Sequence, residues 1–294
     1  MKMLICHDGS EQADRAMRLG AAIAAGCAAE VTLFGIIEAP GSSETILESL
    51  KRGQALLEDR KIHAELITKS GEAIPEIVRR TEEAPYDLIV IGAARKEARG
   101  RFWMSSKTYK IIKEVGPPVL AVAGDSPTLK RILVSSGGNL YREAAMRLIA
   151  QIALAMGAGV TLFHVMPEVP GMYFGLGRME ETVTWLLDSP SELGVNLRRE
   201  MELLQSLGVP AEVRLGHGSV LSEMLRELHE GSHDMVVSGS ALSRGLRTYV
   251  LGDVTREIVN RADCAVLVVR GPRREADARR GLRGFLGRDL WTGI

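Results

Sequence analysis

Val31-Thr-Leu-Phe34 recurs unchanged as Val160-Thr-Leu-Phe163, at an offset of 129 residues. The same offset lays Met3-Leu-Ile-Cys-His-Asp-Gly-Ser10 over Ile132-Leu-Val-Ser-Ser-Gly-Gly-Asn139. Identity at a spacing fixed by a different segment marks an internal repeat, and a repeat decides the fold before any single element does. Further on, Asp87-Leu-Ile-Val-Ile-Gly92 matches Asp234-Met-Val-Val-Ser-Gly239 at an offset of 147, so the second copy carries 18 extra residues (147 − 129). They fall in the Gly- and Met-rich stretch from Glu168 to Pro190. The turn-forming cluster Gly124-Asp-Ser-Pro-Thr128 separates the copies. The chain divides into residues 1–125, residues 130–271 and a basic tail, 272–294.

Within each copy the hydrophobic period alternates. Short β-branched runs predict strands near 2–6, 31–37, 63–68, 87–91 and 118–122, and again near 131–135, 160–166, 211–215, 234–238 and 265–269. Between them run helical patterns such as Glu11 to Ala25 and Arg142 to Met156, where Ala16, Leu19, Ile23 and Met146, Ile149, Ala153 recur at spacings of three and four. Runs such as Leu88-Ile-Val-Ile91 and Ala265-Val-Leu-Val-Val269 are apolar throughout, as suits parallel strands covered on both faces. Strands alternating with helices imply right-handed crossovers. The expected fold is α/β, with two tandem doubly wound, parallel five-stranded sheets carrying helices on both faces in a Rossmann-like manner.

The 294 residues suffice for two such domains, and 46% hydrophobic with 25% charged residues is ordinary for a globular chain with a full core. The formal net charge of +0 gives no global steering toward nucleic acid or anionic membrane. Cys6, Cys27 and Cys264 are too few and too scattered for a disulfide framework or a CxxC site, and read as reduced thiols. No run reaches the roughly 20 apolar residues of a membrane span, and Met3 to Cys6 is too short for an export core. A cytoplasmic location is expected, without stable membrane insertion.

In open α/β sheets, ligands sit beyond the carboxyl ends of the strands where strand order reverses. The residues there are Cys6-His7-Asp8-Gly9-Ser10 and Gly92 to Ser106 in the first copy. In the second they are Ser135-Ser-Gly-Gly-Asn139 and Gly239 to Asp253. A glycine-rich loop running into a helix start offers backbone N–H groups and a positive dipole end to phosphate, and Asp8 can accept a bond from a ribose hydroxyl. The alternative is that these glycines only permit tight turns; the bare pattern leaves both open. GxGxxG after the first strand and GxxxxGK[ST] are both absent, which excludes the dinucleotide fingerprint and the P-loop.

These residues resemble the universal stress protein family. The likeness rests on the opening Leu4 to Met17, the paired second strands, and the closing segments Asp87 to Val122 and Asp234 to Val269, and it covers nearly the whole chain. It implies a sheet fold akin to the adenine nucleotide α-hydrolases. It also implies a homodimer or an intrachain pseudo-dimer built through the last strands. The ATP-binding branch carries G-x2-G-x9-G-[ST] after the fourth strand. Here the first copy reads Gly92-x2-Arg95-x9-Ser105-Ser106, and the second Gly239-x2-Leu242-x9-Gly252-Asp253. Carried over, Cys6 and Asp8 border ribose and base, Ile36 lines the adenine slot, and Gly92, Ser105 and Ser106 face phosphate, with Arg95, Lys96 and Arg99 adding positive charge. The matching second-copy positions are Ser135, Gly137, Val165, Gly239, Gly252 and Asp253. Asp253 repels phosphate unless a cation intervenes, so ATP or another adenine nucleotide, with Mg where it accompanies the phosphates, is expected in the first copy before the second.

Other chemistry is poorly supported. The six histidines form no HxH or HExxH motif; His7 and His164 fall at strand ends and His217 in a turn. Ser105-Ser106 and Ser135-Ser136 lie in no GxSxG elbow and read as caps or phosphate contacts. Phe102-Trp103 reads as core packing before an anchor against the other copy or a partner. The apolar stretch from Val169 to Gly177 reads as a lid or a dimer contact, and the Arg-rich tail as a solvated end before a surface or membrane-proximal contact. The expected function is that of a non-catalytic stress-response or regulatory protein with at most weak ATP hydrolysis. The alternatives are an interaction module that has lost its nucleotide and, less favoured, an enzyme acting on an adenylate.

Overall fold

A computed structural model describes residues 1–38, 43–93, 95–98, 101–124, 128–136, 141, 143–167, 182–242 and 249–270. The first copy runs β1 (Lys2–His7), α1 (Glu11–Cys27), β2 (Glu30–Ile37), α2 (Ser43–Glu58), β3 (Ala64–Ser70), α3 (Ala73–Glu83), β4 (Leu88–Gly92), β5 (Arg95–Ala98), β6 (Arg101–Met104), α4 (Ser106–Glu114) and β7 (Val119–Val122). The second runs β8 (Arg131–Ser136), α5 (Glu143–Met156), β9 (Gly159–Met166), α6 (Val183–Asp188), α7 (Glu192–Ser206), β10 (Ala211–His217), α8 (Val220–Glu230), β11 (Met235–Leu242), β12 (Tyr249–Val250), α9 (Asp253–Arg261) and β13 (Ala265–Arg270). All ten expected strands are present. Helix α6 is the described part of the insertion; the stretch from Val169 to Gly177 and the tail lie outside the described residues.

Local chemistry explains the helix starts. Ser10 caps α1 by accepting from the Ala13 N–H at 3.2 Å, and Glu11 and Asp14 place negative charge in its first turn. Ser105 and Ser191 cap α4 and α7 in the same way. Along β1 the side chains alternate between two cores, Met3 and Ile5 on one face, Leu4 and Cys6 on the other. Helices α1, α2, α5 and α7 cover the first face, and α3, α4, α8 and α9 the second.

The copies are not two separate sheets. Strands run β3-β2-β1-β4-β7 in the first and β10-β9-β8-β11-β13 in the second, parallel within each copy. Strands β7 and β13 then pair antiparallel and join them into one sheet. The register sets Leu120 opposite Leu267, Val119 opposite Val268 and Ala121 opposite Val266. Leu120 and Leu267 are equivalent in the repeat (267 − 120 = 147), so a pseudo-two-fold axis passes between them and the contact is isologous. On the first face α1 lies on α5. A Cβ on Gly26 would fall 2.5 Å from the Ala155 Cβ, so the missing side chain sets that approach.

Candidate functional site

Each copy has a crevice where strand order reverses, at the carboxyl ends of β1 and β4 or of β8 and β11. In the first copy Cys6 and Ile36 are buried and belong to the core of the second face. Burial pushes the Cys6 thiol far up, and the Asp8 carboxylate adds to it, so this sulfur stays protonated. Asp8 is exposed, and its Oδ1 accepts from the Ser10 N–H at 3.0 Å. Beneath it the Gly9 N–H donates to His7 Nδ1 at 3.0 Å, which leaves the His7 Nε2 proton for Asp14 Oδ1, also at 3.0 Å. His7 is thus a buried, satisfied strut of the loop.

Gly92 closes β4. A Cβ there would meet the Gln12 carbonyl carbon at 2.6 Å and the Ala13 nitrogen at 2.7 Å. Its glycine is required by the close start of α1. Ser105 accepts from the Thr108 N–H at 3.3 Å, so its hydroxyl is engaged as a cap, and Ser106 is the exposed first residue of α4. Between Gly92 and Ser105 the chain makes a hairpin in which β5 and β6 pair antiparallel, Arg95 opposite Met104 and Ala98 opposite Arg101. Phe102 and Trp103 lie on β6; the side chains of this hairpin and Arg99 lie outside the described residues. Strand β6 rests against α9 of the other copy, and β12 reciprocally approaches α4.

Two residues not anticipated from the sequence cross the first crevice. The Glu38 Oε1 accepts from the Ala73 N–H at 3.0 Å, and its Oε2 pairs with Lys107 Nζ. Lys107, and behind it the Ala73 N–H, hold this carboxyl below the usual carboxylate range, against burial and the nearby Asp8 charge. The sequence signal for the pair was the position of Lys107 in the first turn after Ser105-Ser106.

In the second copy Tyr141 stands at the position of Gln12 (141 − 129). Tyr141 donates its hydroxyl to the Ser135 carbonyl at 2.6 Å, and its ring lies 3.4 Å from where a Gly239 Cβ would stand. Its N–H donates to Glu200 Oε1 at 2.8 Å. Glu200 is 2% exposed and its Oε2 has no hydrogen-bond partner among the described residues; burial lifts its carboxyl to about 7, opposed by the Tyr141 N–H. Its signal was an acid at a core position, Leu197-x2-Glu200-x3-Leu204. Gly239 lies inside β11, and its carbonyl accepts from Thr255 Oγ1 at 2.9 Å. Gly252 stands before α9 without a side-chain cap, and Asp253 pairs with Arg256 at 3.2 Å. Val165 is buried in the second core. His164 Nδ1 donates to the Ser136 carbonyl at 2.8 Å; Gly137 lies outside the described residues. Two cavities, of about 360 and 460 Å³, lie at the opposite, amino ends of the strands, the larger between the copies beside Asp87, Gln151 and Arg270.

A sequence profile described as the universal stress protein family matches residues 1–123 and 128–270, the two halves of this pseudo-symmetric sheet. The chain belongs to the universal stress protein family. A universal stress protein of Methanocaldococcus jannaschii is 24% identical over 152 residues, which are 52% of this chain and 88% of that one. Among solved structures, a universal stress protein from Archaeoglobus fulgidus superposes with a TM-score of 0.66 at 16% identity, covering 92% of this chain and 98% of that one. A functionally unknown protein from Pseudomonas aeruginosa superposes at 0.64 and 13% identity, covering 98% and 97%. At these identities the superpositions speak for the fold alone.

The two crevices of this universal stress protein differ in charge: in the second, Asp253 sets a carboxylate at the start of α9, where the first has Ser106 (253 − 147). The first keeps an exposed Asp8 and Lys107 at the start of α4, with Glu38 between. Among the described residues no group of three or more acidic, His or Cys side chains is arranged to hold a metal, and no helix is long and apolar enough to cross a membrane.

Proposed function

We propose that this universal stress protein is a non-catalytic regulatory protein whose first copy takes an adenine nucleotide while the second serves as its structural partner. The supporting observation is the exposed Asp8. The second copy has Gly137 at that position (8 + 129) and places Asp253 at the start of α9, where the first copy has the exposed Ser106 (253 − 147). In this reading Asp8 accepts from the ribose, Ser106 and Lys107 meet phosphate at the helix start, and Mg²⁺ accompanies the phosphates past the crevice's own carboxylates.

The test is mass spectrometry of nucleotide released on denaturing freshly purified protein, paired with calorimetric titration of ATP. About one nucleotide per chain, weakened by Asp8→Ala, supports the reading. No released nucleotide and no heat at millimolar ATP would favour an interaction module instead. The reciprocal seating of β6 on α9 and β12 near α4 lends that second reading its support, because it engages each phosphate-loop segment with the other copy.

A further inference from the structure

Strand β1 lies between β2 and β4. Any contact from the end of β2 to the start of α4 therefore passes over the end of β1, where the crevice is. Glu38 makes that contact. It follows Ile37 at the end of β2, and its two oxygens reach the first N–H of α3 and the Lys107 ammonium in the first turn of α4. Helices α3 and α4 pack side by side on the second face, so both starts open on the same space. The carboxylate thus takes two donors that an entering anion would use, one of them at a helix N-terminus.

We infer that Glu38 is an internal occupant of the first crevice, a tethered carboxylate that an anionic ligand must displace from Lys107 and the α3 start. This rests on the nucleotide reading above and adds the competition that sets its affinity. The pair is suited to displacement, since the side chains are 33% and 55% exposed and an ion pair so wetted holds loosely. The aligned positions of the second copy cannot form this pair: Pro167 stands at the Glu38 position (38 + 129) and Val254 at that of Lys107 (107 + 147). The half with the exposed Asp8 carries the internal anion, and the half with Asp253 at its helix start lacks the pair at the aligned positions.

The test titrates pyrophosphate and, separately, ATP into the full chain and three variants. Glu38→Gln keeps an oxygen for the Ala73 N–H but releases Lys107; Glu72→Gln removes the same charge beside the α3 start without touching Lys107; Lys107→Gln removes the ammonium. Both ligands are expected to bind Glu38→Gln about three- to ten-fold more tightly than the parent, with Glu72→Gln close to the parent and Lys107→Gln weaker. ATP binding to Glu38→Gln alone also supports the inference. Equal gains in Glu38→Gln and Glu72→Gln would reduce the effect to general charge and overturn it. So would a parent that binds ATP while Glu38→Gln binds no better, an outcome that leaves the nucleotide reading intact. Silence of all four proteins overturns both together.

Discussion

Arg270 Nη2 donates to the Val115 carbonyl at 2.8 Å, tying the last strand of the second copy to the last turn of α4 in the first. Its Nε reaches the carbonyls of Gly116 and Pro117, both at 3.1 Å, and its Nη1 the Ser240 hydroxyl at 3.0 Å. A guanidinium here answers carbonyls left over at a helix C-terminus, with the macrodipole favouring its charge. The equivalent residue of the first copy (270 − 147) is Ala123, so the clamp acts from one side of the pseudo-two-fold only.

Arg270→Met keeps an apolar stem but strips these carbonyls of their donor. It should lower stability by about 2–4 kcal/mol, as buried acceptors lose a charged partner. Urea unfolding followed by circular dichroism measures this. A change below about 0.5 kcal/mol would mean that β7–β13 pairing and the α1–α5 contact hold the copies together unaided.

Tyr141→Phe keeps the ring over Gly239 and removes the donor to Ser135. A loss of about 1 kcal/mol in stability is expected, with no ligand gained in the second crevice. New ATP binding in this variant would show that the bond from the hydroxyl to the Ser135 carbonyl keeps nucleotide out of that half.

Glu200 gives a pH dependence of defined sign. Burial raises its folded pKa to about 7, above the value near 4.5 of a free glutamate. Between these values the folded state holds more protons than the unfolded one, so this group's contribution falls as pH rises from about 4.5 to about 7 and stays lost above. Glu200→Gln removes the penalty, and should raise stability at pH 8 by up to about 3 kcal/mol while changing little at pH 4.5. Equal effects at both pH values in thermal unfolding would refute the assignment.

The repeat made the fold readable because parallel strands buried on both faces leave apolar runs that survive alignment at offsets of 129 and 147. Placement of the crevices followed from topology. What the sequence hid were contacts between residues distant in the chain. Glu38 meets Lys107 across 69 positions, Tyr141 meets Glu200 across 59, and β7 meets β13 through two ordinary apolar runs. None of these pairs has a local pattern. Ile36 and Val165, expected beside a ligand, are buried with the second core, and an apolar side chain at a strand end reads alike in either setting.

Two of the three glycines assigned to phosphate, Gly92 and Gly252, separate under substitution. A Cβ on Gly92 would stand 2.6 Å from Gln12 backbone, and backbone at the start of α1 cannot yield as a flexible side chain would. Gly92→Ala should therefore cost about 2–4 kcal/mol with or without nucleotide, by forcing α1 away from β4. Gly252 has φ −57, and no atom of the described residues lies within 4 Å of a Cβ placed on it. Gly252→Ala should cost at most about 1 kcal/mol, the difference between glycine and alanine before a helix. Thermal unfolding of both variants with and without ATP decides the matter. If Gly92→Ala were as mild as Gly252→Ala and acted only on ATP affinity, the glycine would belong to the ligand and not to the packing of α1.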